Sequence, residues 1–366
     1  MNIGVLTETL AGERRVALVP SACLHLVNKG YAVHIQQGAG LEAGFDDTAY
    51  RDAGASVTQR SDVLGCAQVM LRVAVPSSAE IAELCAGQSL VSYIYPKRNR
   101  NVLDALAARG VTTYALDAIP RITRAQSMDV LSSQNNLAGY KAVIVGANAL
   151  GRVFPLMMTA AGTVTPAKVL IYGAGVAGLQ AIATAKRLGA RVEVSDIRPE
   201  TKEQVESLGA KFIMVDGLDR VNVQGGYVAD VDTEVLARQT AAVEKSLAEA
   251  DLVITTALVA GGSAPRLITA AQVDTMKRGA VIVDMATEAG GNCELSLPDT
   301  TVEHNGVTII GCSNLASLVP THASELYAKN ITTFLAAVAT VDHMSTDIND
   351  EIVSATMVTF GSEVRA

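Results

Sequence analysis

The chain has 366 residues, of which 49% are hydrophobic and 18% are charged, and its formal net charge is −8. This composition predicts an ordinary globular protein of about two domains, and the acidic balance, with no block of Lys or Arg to offset it, argues against a nucleic-acid partner. The five cysteines form no CxxC pair, which favours reduced thiols in the cytoplasm over a metal site, and we expect neither an export leader nor a membrane span of ~18 apolar residues.

Strand and helix patterns alternate along the first 120 residues or so. Short apolar runs predict strands at residues 3–6, 31–36, 67–73, 90–94 and 111–115. Apolar residues at helical spacing predict helices near residues 20–29, 46–53, 78–86 and 102–109. This alternation is typical of a parallel sheet that is covered by helices on both faces.

A second α/β pattern follows a long helical stretch. Helical spacing of apolar residues predicts a bridging helix, which we place at residues 131–164. Six further strands are predicted at residues 169–172, 191–195, 211–215, 252–256, 280–285 and 307–311. Six is the strand number of a doubly wound nucleotide-binding domain. A last long helix, at residues 320–340, then leads back to the first domain.

The predicted fold is therefore α/β, with two Rossmann-like, doubly wound parallel-sheet domains linked by long helices. We assign residues 1–130 and 320–366 to a flavodoxin-like first domain, and residues 165–319 to the second domain. Two crossings of the chain predict a hinged cleft between the domains. Ligands would bind there, over the carboxyl ends of the strands.

A glycine-rich turn joins the first strand of the second domain to a helix. The turn reads Gly173-Ala174-Gly175-Val176-Ala177-Gly178. A strand before it, a helix after it and an acidic residue at the end of the next strand predict a dinucleotide-binding fingerprint. In such a fingerprint the first glycine permits the tight turn, the second admits the pyrophosphate, and the third lets the helix pack on the strand. The alternative is a βαβ unit that binds nothing.

The residues after the second strand of this domain bear on nucleotide choice. Asp196 would accept hydrogen bonds from the adenosine ribose and repel a 2′-phosphate, which favours NAD(H) over NADP(H). Ile197 and Arg198 follow in the same loop, and an arginine at this place can also serve a 2′-phosphate.

Residues 216–232 form a long polar connection that is rich in Gly and Asp. A connection of this length is uncommon unless it is functional or disordered. Tyr227 follows Gly225 and Gly226, the arrangement expected of a mobile, hinged lid that carries a contact residue. A solvated insertion is the alternative.

Three stretches together resemble the NAD(H)-binding component of the proton-translocating nicotinamide nucleotide transhydrogenases, which belong to one family with alanine dehydrogenase. They are residues 120–133 (PRITRAQSMDVLSS), residues 173–189 with 201–209, and residues 288–293 (EAGGNC). The first stretch is highly specific, whereas the glycine turn is shared with many dehydrogenases. The likeness extends from residue 3 to about residue 358.

The resemblance implies a homodimeric, cytoplasm-facing subunit that binds NAD(H) and passes hydride to NADP⁺ on an NADP(H)-binding beta subunit. Membrane-spanning subunits would couple this exchange to proton translocation and hold the chain at the inner membrane. Arg121 would hold the carboxamide or the pyrophosphate, Asp129 and Ser132 would orient the nicotinamide, and Gln126 would reach toward the partner's nucleotide. The resemblance also places Tyr227 on a mobile loop that closes on NAD(H). It adds four further nucleotide-binding residues, Thr256, Ala257, Leu258 and Glu288.

Two other functions stay open. Residues 12–20 resemble the substrate-binding start of alanine dehydrogenase, but that enzyme needs a proton-carrying histidine where residues 91–96 read VSYIYP. Its catalytic aspartate is matched by Glu288, a longer and misplaced acid. The third possibility is an NAD-binding paralogue without turnover, because residues 258–265 depart from the proline-glycine-lysine-proline turn of the family.

Overall fold

The computed structural model describes residues 1–215, 217, 222–224, 227–230, 233–258 and 262–365. The chain divides into two compact units, the first made of residues 1–134 and 316–366 and the second of residues 135–315. Gly225, in the predicted lid, lies outside the described residues. Among the residues that are described, no helix combines the length and the apolar content needed to cross a lipid bilayer.

Six strands and six helices alternate along the first 149 residues. The strands are β1 (Asn2–Val5), β2 (Ala32–Gln36), β3 (Ser56–Thr58), β4 (Val69–Leu71), β5 (Ser89–Ser92) and β6 (Thr112–Ala115). The helices are α1 (Pro20–Asn28), α2 (Asp47–Asp52), α3 (Arg60–Cys66), α4 (Ser78–Glu83), α5 (Arg100–Ala108) and α6 (Val130–Ala149). Local signals set several of these bounds: Pro20 opens α1, and Ser77 with Glu80 forms a capping box on α4.

The rest of the chain contains thirteen described strands and six helices. The strands are β7 (Met157–Thr159), β8 (Gly162–Val164), β9 (Lys168–Tyr172), β10 (Arg191–Ser195), β11 (Lys211–Phe212), β12 (Asn222–Gln224), β13 (Tyr227–Asp230), β14 (Leu252–Thr255), β15 (Val281–Asp284), β16 (Thr301–His304), β17 (Val307–Gly311), β18 (Met357–Phe360) and β19 (Glu363–Val364). The helices are α7 (Val176–Arg187), α8 (Lys202–Ser207), α9 (Thr233–Glu249), α10 (Ala270–Asp274), α11 (Pro320–Val338) and α12 (Glu351–Thr356).

The sheet of the first unit has eight strands in the order β19-β18-β6-β5-β4-β1-β2-β3. Strands β1 to β6 are parallel, and Ile3 of β1 pairs with Val33 on one side and with Val69 on the other. β18 and β19 complete one edge in antiparallel pairing. The strand order reverses between β1 and β4, which makes this place the topological switch point where doubly wound sheets bind ligands.

The sheet of the second unit has seven strands in the order β11-β10-β9-β14-β15-β17-β16. All are parallel except β16, which pairs antiparallel with β17. The switch point lies between β9 and β14, where Val169 pairs with Val192 on one side and with Leu252 on the other. The predicted fold class, α/β with two Rossmann-like doubly wound sheets, is therefore confirmed.

The structure corrects the predicted elements at several places. The helix predicted over residues 131–164 ends at Ala149, and a hairpin of β7 and β8 follows. Gly162 has a φ of 131°, which no helix interior accepts. The predictions also lacked β3, β16, β18, β19, α3 and α12. These elements are short or only partly buried, so their apolar periodicity is weak.

A second two-stranded sheet lies in the stretch that was predicted as a lid. β12 and β13 pair antiparallel, and Tyr227 is the first residue of β13. The described residues of this stretch therefore contain a hairpin that the sequence analysis did not predict.

Candidate functional site

The glycine turn follows β9 at the switch point of the second unit. Gly173 has a φ of 97°, and a Cβ on it would lie 2.4 Å from Thr256 Oγ1. A Cβ on Gly178 would lie 1.9 Å from the Gly173 carbonyl oxygen. A Cβ on Gly175 would have no described heavy atom within 4 Å outside its own neighbours. The first and third glycines are therefore required by the turn and its packing, whereas the second borders open space.

That open space lies at the N-terminus of α7. Gly175 is the N-cap residue, and because it lacks a side chain it cannot itself cap the helix. The Gly175 carbonyl accepts the first intrahelical bond, from the N–H of Leu179 at 2.8 Å. The N–H groups of Val176 and Ala177 precede that bond, and they sit at the positive end of the helix dipole. Such an end binds anionic oxygen atoms.

Asp196 lies beside this turn with its side chain only 5% exposed. Its Oδ2 accepts a hydrogen bond from the N–H of Ala174 at 2.6 Å. The backbone N–H of Arg198 donates to Oδ1 at 2.8 Å. The Arg198 guanidinium donates to both carboxylate oxygens at 3.0 Å, which raises the pKa of Arg198. These four bonds fill the acceptor positions of the carboxylate and neutralise its charge.

The ribose role predicted for Asp196 consequently depends on Arg198. In this arrangement a ribose hydroxyl can bond to Asp196 only where the guanidinium gives way. The Arg198 side chain is 36% exposed, so it has room to move, and Ile197 between them is half exposed.

The end of β14 completes the switch point. Thr256 donates its hydroxyl hydrogen to the Tyr172 carbonyl at 3.0 Å, which ties β14 to β9 where both strands end. The next residue, Ala257, is held by the fully buried Asn292 through its N–H at 3.1 Å and its carbonyl at 2.9 Å. Leu258 is 53% exposed. Asn292 was not predicted as a site residue, although it lies in the EAGGNC stretch.

A buried carboxylate, Asp284 at the end of β15, organises that stretch. It is fully buried and accepts five hydrogen bonds, from the backbone N–H groups of Ala286, Asn292 and Cys293 and from the hydroxyls of Thr255 and Ser296. These bonds hold the turn that carries Glu288, whose side chain is exposed. Asp284 was predicted only as part of a strand, with no role in the site.

The four predicted catalytic residues belong to the first unit, and the glycine turn belongs to the second. Arg121 and Gln126 are exposed on the segment before α6. Asp129 caps α6, because Oδ1 accepts the Ser132 N–H at 2.9 Å and Oδ2 accepts the Ser132 hydroxyl at 2.6 Å. Asp129 therefore fixes the direction of the Ser132 hydroxyl hydrogen, so the oxygen of Ser132 faces other partners as an acceptor.

Two sequence profiles cover almost the whole chain. The N-terminal domain of alanine dehydrogenase/PNT matches residues 4–138, and the C-terminal domain of alanine dehydrogenase/PNT matches residues 142–366. The chain belongs to the alanine dehydrogenase/PNT family. This membership confirms the resemblance drawn from the three sequence stretches.

Known members of the alanine dehydrogenase/PNT family are similar over most of their length. An NAD(P) transhydrogenase alpha-subunit chain of Rhodospirillum rubrum is 48% identical over 369 aligned residues, with 98% of this chain and 96% of the relative covered. Alanine dehydrogenase of Mycolicibacterium smegmatis is 32% identical, with 87% and 82% covered. The crystal structure of transhydrogenase from Sinorhizobium meliloti is 44% identical and superposes with a TM-score of 0.92 over 100% of both chains.

These relatives include both transhydrogenases and an alanine dehydrogenase. The residues at the switch point of the first unit bear on the choice between these two functions. Arg72, directly after β4, pairs with Glu8 at 3.0 Å and with Glu80 at 2.6 Å, and all three side chains are buried. Arg15, within the stretch that resembles the alanine dehydrogenase start, forms a buried two-bond pair with Glu13 and donates to Gln134 at 2.9 Å. Both guanidinium groups are therefore already matched by carboxylates of the same unit.

Residues 91–96, where a proton-carrying histidine was expected for an alanine dehydrogenase, contain Tyr93 and Tyr95. Tyr93 stacks on Tyr95 with ring centroids 5.5 Å apart, and it packs against Tyr327 at 5.6 Å. Its hydroxyl donates to the Val130 carbonyl at 3.2 Å. Burial raises the pKa of Tyr93 well above its ordinary value, so this phenol stays protonated near neutral pH.

Proposed function

We propose that this chain is the NAD(H)-binding subunit of a proton-translocating NAD(P) transhydrogenase, which passes hydride from NADH to NADP⁺ on a partner subunit. The observation that carries the proposal is a set of buried groups in the first unit. They are Arg15 paired with Glu13, Arg72 paired with Glu8 and Glu80, and the protonated Tyr93. Alanine oxidation needs a free cation for the substrate carboxylate and a group that moves a proton. Arg15 and Arg72 are matched by buried carboxylates, and Tyr93 holds its proton.

NAD(H) fits the second unit. The turn at Gly173, Gly175 and Gly178 leaves a cradle that a side chain would fill, and the first-turn N–H groups of α7 would hold the pyrophosphate. Ala174, Val176 and Ala177 would contribute through their backbone. The adenosine ribose would lie toward Asp196, Ile197 and Arg198, and the remaining nucleotide-binding residues would be Thr256, Ala257, Leu258 and Glu288.

When it is bound, NADH supplies a hydride from its dihydronicotinamide ring. Hydride exchange between two nicotinamides leaves no proton to be moved, so the chain has only to position, orient and exclude water. Ser132, with its hydroxyl hydrogen committed to Asp129, would accept a hydrogen bond from the carboxamide. Arg121 would hold the carboxamide or pyrophosphate, and Gln126 would face the partner's nucleotide.

The hairpin of β12 and β13 supports a lid role for residues 216–232. Tyr227 begins β13, and Gly225 precedes it in the chain. A lid that closes on NADH and opens for exchange would exclude water during transfer.

The hairpin of β7 and β8 supports a homodimer. Leu156 is 57% exposed and Met158 is 81% exposed, and residues 156–165 include no charged side chain. A two-stranded hairpin is marginal alone, and its open edges favour pairing with another strand. An uncharged patch suits a self-complementary contact with a second copy. Met158→Asp should therefore shift the mass in sedimentation from dimer to monomer, and a dimer unchanged by this variant would place the interface elsewhere.

The remaining partners follow from the transhydrogenase proposal. They are an NADP(H)-binding beta subunit and membrane-spanning subunits, which would hold this chain at the cytoplasmic face of the inner membrane. The net charge of −8 gives no support for a nucleic-acid partner.

Stopped-flow kinetics with the full chain tests the proposed function. NADH bound to the chain should reduce NADP⁺ only when the NADP(H)-binding partner subunit is added. The chain alone should leave alanine and pyruvate unchanged. Turnover of either acid without a partner would support the alanine dehydrogenase function instead. Tight NADH binding without transfer to any partner would support the non-catalytic paralogue.

A further inference from the structure

Asn330 of α11 holds the segment that carries the predicted catalytic residues. Its side-chain amide is buried, with the residue 8% exposed. Nδ2 donates to the Ser127 carbonyl at 2.8 Å, and Oδ1 accepts the Ser133 hydroxyl at 2.7 Å. Ser127 follows Gln126 directly, and Ser133 follows Ser132. The Asn330 side chain therefore bonds to the backbone next to Gln126 and to the side chain next to Ser132.

The held segment needs such support. Residues Thr123–Met128 form a 3₁₀ helix, whose hydrogen bonds are poorer than those of an α-helix. Ala125 and Met128 are buried, so the exposed Gln126 between them is placed by the backbone. α11 itself is a firm support, because Ile331 and Phe334 near Asn330 are fully buried in the core of the first unit.

We propose that Asn330 is a positioning residue for hydride transfer, which sets the places of Gln126 and Ser132 by bridging Ser127 and Ser133. This inference rests on the proposed transhydrogenase function. Asn330 acts through these neighbours. A displacement of reacting groups by about 1 Å costs about 100-fold in rate, so loosening this bridge should slow transfer much more than it weakens NADH binding.

Three variants separate the two bonds of the bridge. Asn330→Leu removes both bonds, and Ser133→Ala removes only the one to Ser133. Asn330→Asp keeps the acceptor for Ser133 but sets a carboxylate against the Ser127 carbonyl. A protonated carboxyl can donate to that carbonyl again, so transfer by Asn330→Asp should recover as the pH is lowered.

Ser324→Ala is the matched control. Ser324 lies on the same helix, is fully buried and accepts the Val16 N–H at 3.0 Å, whereas Asn330 bonds to Ser127 and Ser133. The measurements are the transfer rate to the NADP(H)-bound partner subunit, the Kd of NADH, and the thermal midpoint of the full chain. We expect Asn330→Leu to slow transfer about 10- to 100-fold with a change in Kd below about threefold, while Ser324→Ala transfers at the wild-type rate for a similar loss of stability.

Two results would overturn the positioning role. One is wild-type transfer by Asn330→Leu, and the other is equal slowing by Asn330→Leu and Ser324→Ala with no recovery of Asn330→Asp at low pH. Failure of the proposed function is distinguishable, because then the wild-type chain itself would not transfer hydride to the partner.

Discussion

The two sheets have the same doubly wound order, yet their switch points are built in opposite ways. Between β1 and β4 the first unit places Glu8 and Arg72, an ion pair with both side chains buried. Between β9 and β14 the second unit places Gly173 and Thr256, with a helix N-terminus above them. One switch point is filled by its own charges, and the other keeps backbone donors for a ligand. Position in the topology thus allows a ligand site, and the side chains decide whether one exists.

The filled switch point should show the largest effect on stability. Replacing Arg72 with Met leaves the carboxylates of Glu8 and Glu80 buried without their cation, and breaking a buried pair in this way costs about 3–5 kcal/mol. The Kd of NADH should stay the same, because the variant leaves the second switch point intact. Urea unfolding at neutral pH measures the loss.

Arg14→Met is the control for this variant. Arg14 pairs with Glu42 at 3.2 Å on the surface, so its removal should cost at most about 1 kcal/mol. Burial raises the pKa of Glu8, so as the pH falls the folded state takes up a proton at Glu8 before the unfolded state does. The loss of unfolding free energy in Arg72→Met should therefore become smaller as the pH falls toward the ordinary range of a glutamate. Equal unfolding free energies of Arg72→Met and Arg14→Met would mean that Arg72 does not stabilise the buried carboxylates of Glu8 and Glu80.

The open switch point should respond differently at two of its three glycines, Gly178 and Gly175. Gly178→Ala sets a Cβ 1.9 Å from a carbonyl oxygen, so it should destabilise the second unit by about 1–3 kcal/mol and weaken NADH binding as well. Gly175→Ala meets open space, so it should cost less stability, about 1 kcal/mol or less, the scale of placing Ala at an N-cap. Its NADH affinity should still fall, because the methyl group occupies the approach of the pyrophosphate. Unchanged NADH binding by Gly175→Ala would move the nucleotide away from this turn.

The sequence predicts most of the fold because periodicity reports burial. β9, β14 and the long helix α11 lie where short apolar runs or helical spacing predict them. β18 could not be predicted in this way, since it pairs with β6 from about 240 residues further along the chain. Periodicity describes one element at a time, and this strand exists only through its distant partner.

The candidate site likewise contains residues that local sequence predicts and residues that it does not. The glycine turn and Asp196 could be predicted because their chemistry is local: strand, turn, helix and acid stand in sequence order. The buried Asp284 and Asn292 could not, because each acts by accepting or donating bonds to loops that come together only in the folded chain. Arg198 was predicted beside Asp196, but the capture of that carboxylate by its guanidinium follows from side-chain geometry alone.

Arg198 gives the smallest and most selective prediction for the open switch point. Its guanidinium neutralises Asp196, so it weakens the repulsion of a 2′-phosphate and competes with the ribose for the carboxylate. Arg198→Gln should therefore tighten NADH binding and weaken NADPH binding. A charge-assisted hydrogen bond is worth about 1.5–3 kcal/mol, and the partial exposure of the pair argues for the lower end, so the ratio of the two Kd values should widen about tenfold.

Asp196→Asn is the matched control and should narrow the ratio of the two Kd values. Fluorescence titration with each nucleotide measures both changes. A greater loss of NADH than of NADPH affinity in Arg198→Gln would mean that the arginine holds the nucleotide itself, and that Asp196 serves mainly to place it.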